Sequence, residues 1–365
     1  MANRKEFKFS PDYAIPPGET LLETMEYYGL TQAELAERTG RPVKTINGIV
    51  KGKTAITAET SLQLERVLGV PASFWNNLES NYRQALAAQK EKQKLKVEVE
   101  WLNIVPVNDL VKKGWIKKYN NKIDQLQEVL VFFGVASVNA FNQTWNIDKL
   151  DVAYRKSVAF KSNPISVAAW IRKGELEAHK IECNPFDSKK FKEVLDEIRP
   201  LTKERPKVFI PKVTELCAQT GVAVVLLPEV QNSRVSGIAR WLNSNKALIQ
   251  LSARYKSDDH LWFSFYHEAG HILENRKKAI FLEYKGKEND EQEEKANNFA
   301  QKMLIPPEQF KKWLAQGIFN RSSINKFAQN INIAPGIVVG RLQYEGKISF
   351  SHFNDLKTRY RWKTT

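Results

Sequence analysis

Cysteine is scarce in this chain: Cys183 and Cys217 are the two among 365 residues. So low a count excludes a disulfide-stapled scaffold, and the wide separation of the two excludes the close pairing of a structural zinc knuckle. The pattern predicts a reducing compartment in which both thiols serve as packing groups. Apolar runs of membrane-spanning length are missing, as is a short h-region near the first residues, so the expectation is a cytoplasmic protein without a membrane partner. No internal repeat or low-complexity tract is present. Histidine is rare as well, five in the whole chain, which gives weight to any histidines that fall into a pattern. What remains, 42% hydrophobic and 27% charged residues, describes a globular chain long enough for two or three domains.

Two of those histidines form the run His267-Glu268-Ala269-Gly270-His271. Positions four apart on a helix share one face, so both imidazoles can reach one metal ion. Asp258 to Tyr266 lead into the motif without Pro or Gly, and Ser257 or Asp258 is placed to cap the first turn, which predicts a helix over residues 259–275. Leu261, Phe265 and Ile272 fall in the same broad stripe as the histidines, so the metal-facing side is also a buried side. A third ligand has to come from elsewhere. Residues Asp290 to Pro307 predict a second helix, stopped by its prolines, with apolar positions at Ala296, Phe299, Ala300, Met303 and Leu304. Glu293 lies on that inward face, whereas Glu291 and Glu294 point to the flanks or water. Asn297, one turn further on, lies over the same stripe, within reach of the ring nitrogen of His267 or His271 that does not face the metal.

Two imidazoles and one carboxylate make the donor set of an open, catalytic Zn2+ site. Zinc there lowers the pKa of a water toward about 7 and polarises a scissile carbonyl, with Glu268 as general base. For an oxyanion partner Tyr266, His260, Tyr284 and His352 all stand open, because sequence supplies no distance to rank them. Two isolated histidines would read as buried polar residues of a helical core; the glutamate between them and the phased glutamate helix downstream favour a metal. The run Phe263 to Leu273, followed by Glu293, Ala296, Phe299, Ala300 and Leu304-Ile305-Pro306, resembles the ImmA/IrrE family of metallopeptidases over residues 205–345. That resemblance implies an intracellular endopeptidase of the kind that cuts repressor proteins, with zinc on His267, His271 and Glu293, and Glu268 catalytic. Asn297 stands where the family commonly has aspartate.

The N-terminal region carries a second pattern. Thr31-Gln32-Ala33-Glu34 has the form of a capping box, and the apolar face it opens runs to Thr39 and stops at Gly40. Pro42 suits the opening turn of the next segment, Val43 to Val50, which buries Ile46, Ile49 and Val50 and leaves Lys44 and Asn47 outside. A helix-turn-helix of this kind lays its second helix in the major groove, where Lys44, Thr45 and Asn47 would face base edges. Gln32 is placed for phosphate contact, and Lys51, Lys53, Arg38 and Arg41 add positive charge. From Ile15-Pro16-Pro17-Gly18-Glu19 through Gly52-Lys53 and Ile56-Thr57 to Phe74-Trp75-Asn76-Asn77-Leu78, the segment resembles the Xre-like fold of HigA-type antitoxins. The resemblance implies a homodimer that binds a double-stranded DNA operator and neutralises an adjacent toxin. Gly48 and Pro42 depart from it, standing at positions more usually polar. Charge argues weakly here: residues 1–96 hold 14 basic against 11 acidic side chains, so a helical bundle for protein contacts would look alike.

The full chain has a net charge of +15, and most of the excess lies after residue 206. That excess, with rings and cations interleaved in Lys357 to Lys363, makes nucleic acid a candidate effector of this half. Residues 97–206 predict helices at 107–117, 123–133, 149–160, 164–178 and 187–198, with Trp115, Phe132, Phe133, Trp145, Trp170 and Phe191 as core. Strand-like runs follow at 222–227, 235–242 and 247–251. The expected fold is therefore α+β and predominantly helical: a helix-turn-helix domain with a helical connector (1–96), a helical coupling region (97–206) and a zincin-like metallopeptidase domain with a small sheet (207–365). The expected function is a DNA-binding regulator with zinc endopeptidase activity toward a repressor, a toxin or an antitoxin. Its competitor is a non-catalytic repressor whose zinc is sensory or structural.

Overall fold

In a computed structural model the chain folds as two compact units, residues 1–100 and 101–365. The structure describes residues 14–145, 163–252, 254, 256–274 and 287–362. The fold is α+β and mostly helical, with a small sheet in the second unit.

The first unit is built from α1 (Pro17–Tyr27), α2 (Gln32–Thr39), α3 (Val43–Val50), α4 (Ala58–Leu68) and α5 (Ala72–Glu98). Thr31 and Glu34 close the capping box: Glu34 N donates to Thr31 Oγ1 at 3.2 Å, and Thr31 N to Glu34 Oε2 at 2.8 Å. Two donors that a helix start leaves open are thereby satisfied. Gly40, at φ 64°, takes the left-handed conformation that ends α2. Leu21, Leu35, Ile46, Ile49, Leu64 and Trp75 meet in one buried core and fix α3 against α2. Gly18 follows the Pro that opens α1 because α1 abuts the end of α3: a Cβ there would lie 2.3 Å from the carbonyl oxygens of Ile49 and Val50. The charged stretch after Tyr82 stays within α5, one helix of 27 residues.

The second unit begins with α6 (Val107–Lys112), α7 (Lys122–Phe133), α8 (Val138–Trp145), α9 (Pro164–His179), α10 (Ser188–Ile198) and α11 (Pro206–Ala218). The helix expected over 107–117 stops at Lys112, since Gly114 turns left-handed at φ 67° and returns Trp115 N to Leu110 O. α8 was not expected; Ser137 Oγ accepts from Ala140 N at 3.1 Å and starts it. The helix expected over 149–160 lies outside the described residues.

Three strands follow, β1 (Val222–Leu226), β2 (Gly237–Asn243) and β3 (Lys246–Leu251), in the order β1-β3-β2. β1 runs parallel and β2 antiparallel to β3. Side chains alternate between faces. Val222, Val224, Ala247, Ile249 and Leu251 therefore enter one core, shared with Phe191 and α12 (Asp258–Glu274). Ala223, Val225 and Leu248 enter a second core with Phe132, Phe133, Trp145 and Trp170, while Trp115 packs at its margin. Gln250, also on that second face, donates from Nε2 to Trp170 O at 2.7 Å. Gly174 makes the approach possible, because a Cβ there would lie 1.8 Å from Gln250 Oε1. The helices of residues 101–179 thus cover one face of the sheet, whereas α10 packs on the other.

On the opposite face α12 packs against β2 and β3, and also against α13 (Lys287–Leu304) and α16 (Pro335–Tyr344). α14 (Pro307–Leu314) and α15 (Arg321–Asn330) lie between the last two in sequence. α13 ends ahead of Pro306-Pro307, as its sequence predicts. After α16 the chain returns to the start of α12: Asp258 N donates to Thr358 O at 3.0 Å and Tyr360 N to Lys256 O at 2.7 Å. Among the described residues no helix is long and apolar enough to cross a membrane.

Candidate metal centre and nucleic-acid interface

α12 and α13 lie close because Gly270 has no side chain; a Cβ there would stand 3.2 Å from Ala296 Cα. That closeness carries Glu293 to the histidines. The Nε2 atoms of His267 and His271 are 3.1 Å apart, with Glu293 Oε2 at 3.3 Å from the first and Oε1 at 3.5 Å from the second. One ligand atom from each residue lies within 4.8 Å of the others. Ligands about 2.0–2.2 Å from a tetrahedral zinc stand about 3.3–3.6 Å from one another, so both the donor set and its spacing fit that ion. A hydrogen bond between the two rings would explain one of these separations and leave the carboxylate facing both rings unexplained.

His267 Nδ1 lies 2.9 Å from Asn297 Oδ1. With Nε2 turned to Glu293, the proton belongs on Nδ1 and donates to the amide oxygen, which fixes ring orientation and tautomer. Burial disfavours a charged His267, yet Glu293, Glu268 and Asn297 outweigh it and raise its pKa. At His271 burial and the neighbouring His267 prevail and lower it.

Glu268 is buried, and burial pushes its carboxyl up to about 7; His267 pulls it down, Glu293 pushes it up, and the Ala239 amide pulls it down. A carboxyl balanced near neutral pH can both take and return a proton. It presses on the edge strand β2: a Cβ on Gly237 would lie 2.9 Å from Glu268 Oε1. A side chain at that position would make the Glu268 carboxylate shift.

Of the residues considered for the oxyanion, Tyr266 is buried and donates to Leu195 O at 2.9 Å, which withdraws it. His260 stands about 10 Å along the helix from His267. Burial lowers its pKa, Asp259 opposes, and Lys357 and Arg359 add to the lowering. His352 belongs to the segment after α16, where its carbonyl accepts from Gln343 Nε2 at 3.0 Å. Tyr284 lies outside the described residues. Sequence reasoning missed Arg341 and Tyr344, which border a cleft of about 440 Å³ together with Glu293, Asn297, Asn298 and Gln301. No local motif marks them, since α16 reaches the site only through tertiary packing.

In the first unit Lys44, Lys51 and Lys53 are exposed, and Gln32, Thr45 and Asn47 are half-buried. Asn47 Nδ2 donates to Gln32 Oε1 at 3.1 Å, joining the two residues across the turn. Gly48 is a packing glycine: a Cβ would lie 2.2 Å from Thr54 Oγ1. Arg41 is engaged within the unit, with Nη2 2.8 Å from Glu59 Oε2 and Nε donating to Gln63 Oε1 at 2.7 Å.

A family model described as helix-turn-helix matches residues 25–75, and one described as the IrrE N-terminal-like domain, of peptidase family M78, matches residues 217–340. Virulence-associated protein I of Dichelobacter nodosus is 36% identical over 85 residues, 23% of this chain and 78% of its own length. The chain belongs to the helix-turn-helix family, with an IrrE-like peptidase domain in its second unit. Similar solved structures include an addiction module antidote protein of the HigA family from Coxiella burnetii, at 31% identity. It covers 23% of this chain and 94% of its own, with a TM-score of 0.22. Pseudomonas aeruginosa antitoxin HigA with the higBA promoter is also 31% identical, covers 24% and 95%, and has a TM-score of 0.22. The HExxH run and its glutamate partner fall inside the IrrE-like match, and Gln32, Lys44, Thr45, Asn47, Lys51 and Lys53 fall inside the helix-turn-helix match.

Proposed function

We propose that this protein is a cytoplasmic DNA-binding regulator whose second unit is a zinc-dependent endopeptidase, cutting a repressor or a toxin or antitoxin partner. The observation that carries the reading is the convergence of His267, His271 and Glu293 within 4.8 Å, beside the buried Glu268. His267, His271 and Glu293 would hold zinc, which supplies Lewis acidity toward water and a scissile carbonyl. Glu268 takes a proton from the attacking water and returns it to the leaving amine. Among the described residues β2 pairs with β3 alone, and its Ala239 amide reaches Glu268. An extended substrate added along β2 would therefore pass beside the general base.

In this reading Lys44, Thr45 and Asn47, on the second helix of the helix-turn-helix, would face base edges, and Gln32, Lys51 and Lys53 would contact phosphates. As a homodimer it would meet two half-sites of an operator, and the tethered peptidase would meet proteins bound there at raised effective concentration.

The test uses the full-length, zinc-loaded chain with the proteins encoded beside it. A chelator-sensitive cleavage product is expected. Glu268→Gln should keep zinc and operator binding and lose that product. Normal turnover by the variant would remove Glu268 as the base. Zinc and operator binding with no product from any neighbour would leave a regulator whose metal only senses.

A further inference from the structure

The two faces of β2 meet different parts of the second unit. Toward α12, Ala239 and Trp241 join the first core, while Gly237 and the Ala239 amide lie against Glu268. Ile238 and Leu242 turn the other way, into the second core, and the alternation of a strand puts Arg240 on their face. α9 covers that face. It packs on β1 and β3, and Gly174 brings it close enough for Gln250 to reach Trp170 O.

The next residue of α9, Glu175, extends that hold past β3 to β2. Its Oε1 lies 2.5 Å from Arg240 Nη1, and its Oε2 lies 3.0 Å from Arg172 Nη1. Arg172 in turn donates from Nε to Phe132 O at 2.9 Å, at the end of α7. Gly134 leaves room for this guanidinium, because a Cβ there would stand 2.7 Å from Arg172 Nη2. The three side chains are between 13% and 22% exposed, so solvent and salt screen them little. One carboxylate thus joins two rigid, planar cations from α9 and β2.

The pair sits where the strand needs a fixed point. Between Trp241 and Asn243 the register of β2 on β3 shifts, so the regular ladder ends just past Arg240. Such an irregularity bends its strand and breaks the pairing locally. On the other side of Arg240 lie Gly237 and Ala239, the residues that meet Glu268. Among the described residues β3 is the one strand beside β2, and the Arg240–Glu175 pair adds a tie to the helical layer.

Resting on the peptidase reading above, we infer that Glu175 and Arg240 are positioning residues of the metal site, their ion pair holding β2 where its outer edge can receive an extended substrate beside Glu268. Both act through the strand. The helices of residues 101–179 thereby contribute to the site on the opposite face of the sheet.

The test separates this inference from the reading it rests on. Two probes are titrated calorimetrically into the full-length zinc-loaded protein: acetohydroxamate, which needs only the metal, and a succinyl hydroxamate coupled to leucyl-alanine amide, whose backbone can pair with β2. Two strand hydrogen bonds should make the peptide probe about tenfold tighter than acetohydroxamate in the unaltered chain. Glu175→Gln and Arg240→Met should cut that advantage to about threefold or less, with zinc content and acetohydroxamate affinity unchanged. Arg240→Lys keeps the charge without the planar fork, and it answers if the neutral variants do not fold; its advantage should fall between theirs and that of the unaltered chain. A pair that only stabilises the fold would lower the melting temperature and leave the ratio of the two affinities as it is. That ratio unchanged in the variants that fold overturns the inference, and so does a peptide probe no tighter than acetohydroxamate in the unaltered chain. Failure of acetohydroxamate itself to bind overturns the peptidase reading and takes the positioning role with it.

Discussion

Lys357 and Asp259 form a buried ion pair, Nζ to Oδ2 at 2.7 Å, with each side chain 9% exposed. The pair joins the segment after α16 to the first turn of the helix that carries both histidines. Ser257 Oγ donates to the other Asp259 oxygen at 2.6 Å, and Lys357 Nζ also donates to Gln343 Oε1 at 2.7 Å. Removing one partner of such a pair leaves an uncompensated buried charge. Lys357→Ala should therefore destabilise the second unit by about 3–5 kcal/mol. The double variant Asp259→Asn, Lys357→Met should lose less than Lys357→Ala alone. Urea unfolding of the three proteins checks both statements, and a loss from Lys357→Ala under 1 kcal/mol, about the value of a surface pair, would contradict the first.

Asp258, next to that pair, has the opposite character. It is fully buried, its Oδ2 has no hydrogen-bond partner, and burial pushes its carboxyl up to about 6, with Asp259 pushing further and the Thr358 contact pulling down. A carboxyl whose folded pKa exceeds its unfolded value binds its proton better in the folded state. Its contribution is thus most favourable below about pH 4 and is lost as pH rises through about 6. Asp258→Asn removes that dependence while keeping an acceptor for the Asp259 amide. The stability of the variant relative to the unaltered chain should rise between pH 4 and pH 7 by up to about 3 kcal/mol, two pKa units' worth. Denaturant midpoints across that range measure it; a difference that stays flat or falls would contradict the assignment.

These two carboxylates show where the sequence stopped being legible. Ser257 and Asp258 read as candidate caps of the zinc helix, since caps are local. The partners of Asp258 and Asp259, Thr358 and Tyr360 for the first and Lys357 for the second, come from about 100 residues away and carry no pattern of their own. The same division holds at the metal centre. Glu293 was reachable because helical phase places it on the face of Ala296 and Ala300, and the capping box of Thr31 and Glu34 because both partners lie in one turn. Arg341, Tyr344 and the Ala239 amide were not, because only tertiary packing brings α16 and β2 to Glu293 and Glu268. The sheet was legible as three strand-like runs, the first two β-branched-rich or alternating. Its order was not, because β3 sits between β1 and β2, and the parallel β1–β3 pairing skips the strand that lies between them in sequence.

Gly18 offers a test confined to the first unit. A Cβ there would meet backbone atoms, Ile49 O and Val50 O at 2.3 Å and Val50 Cα at 2.5 Å, and backbone cannot rotate aside as a side chain can. Gly18→Ala should force α1 away from the end of α3 and destabilise this unit by about 3 kcal/mol, at the upper end of the usual cost of overpacking. Calorimetry should show the transition of the first unit falling while that of the second stays in place. An unshifted first transition would mean that α1 and α3 tolerate a wider spacing than the core of Leu21, Ile46 and Ile49 allows.

Asn297 tests the metal centre without altering a proposed ligand. Its Oδ1 sits 2.9 Å from His267 Nδ1 and holds the ring so that Nε2 faces Glu293. Loss of such an orienting partner typically weakens metal affinity by about 10–100-fold. Asn297→Ala should therefore bind zinc at least about tenfold more weakly, with little change in the melting of the apo protein. Asn297→Asp should restore affinity, because a carboxylate accepts the same Nδ1 proton and adds a negative charge that strengthens the imidazole as a donor. Competition titration against a chromophoric chelator gives both numbers. Unchanged affinity in the alanine variant would mean that the ring is oriented by its packing against Phe263, whose centroid lies 6.2 Å away, rather than by the amide.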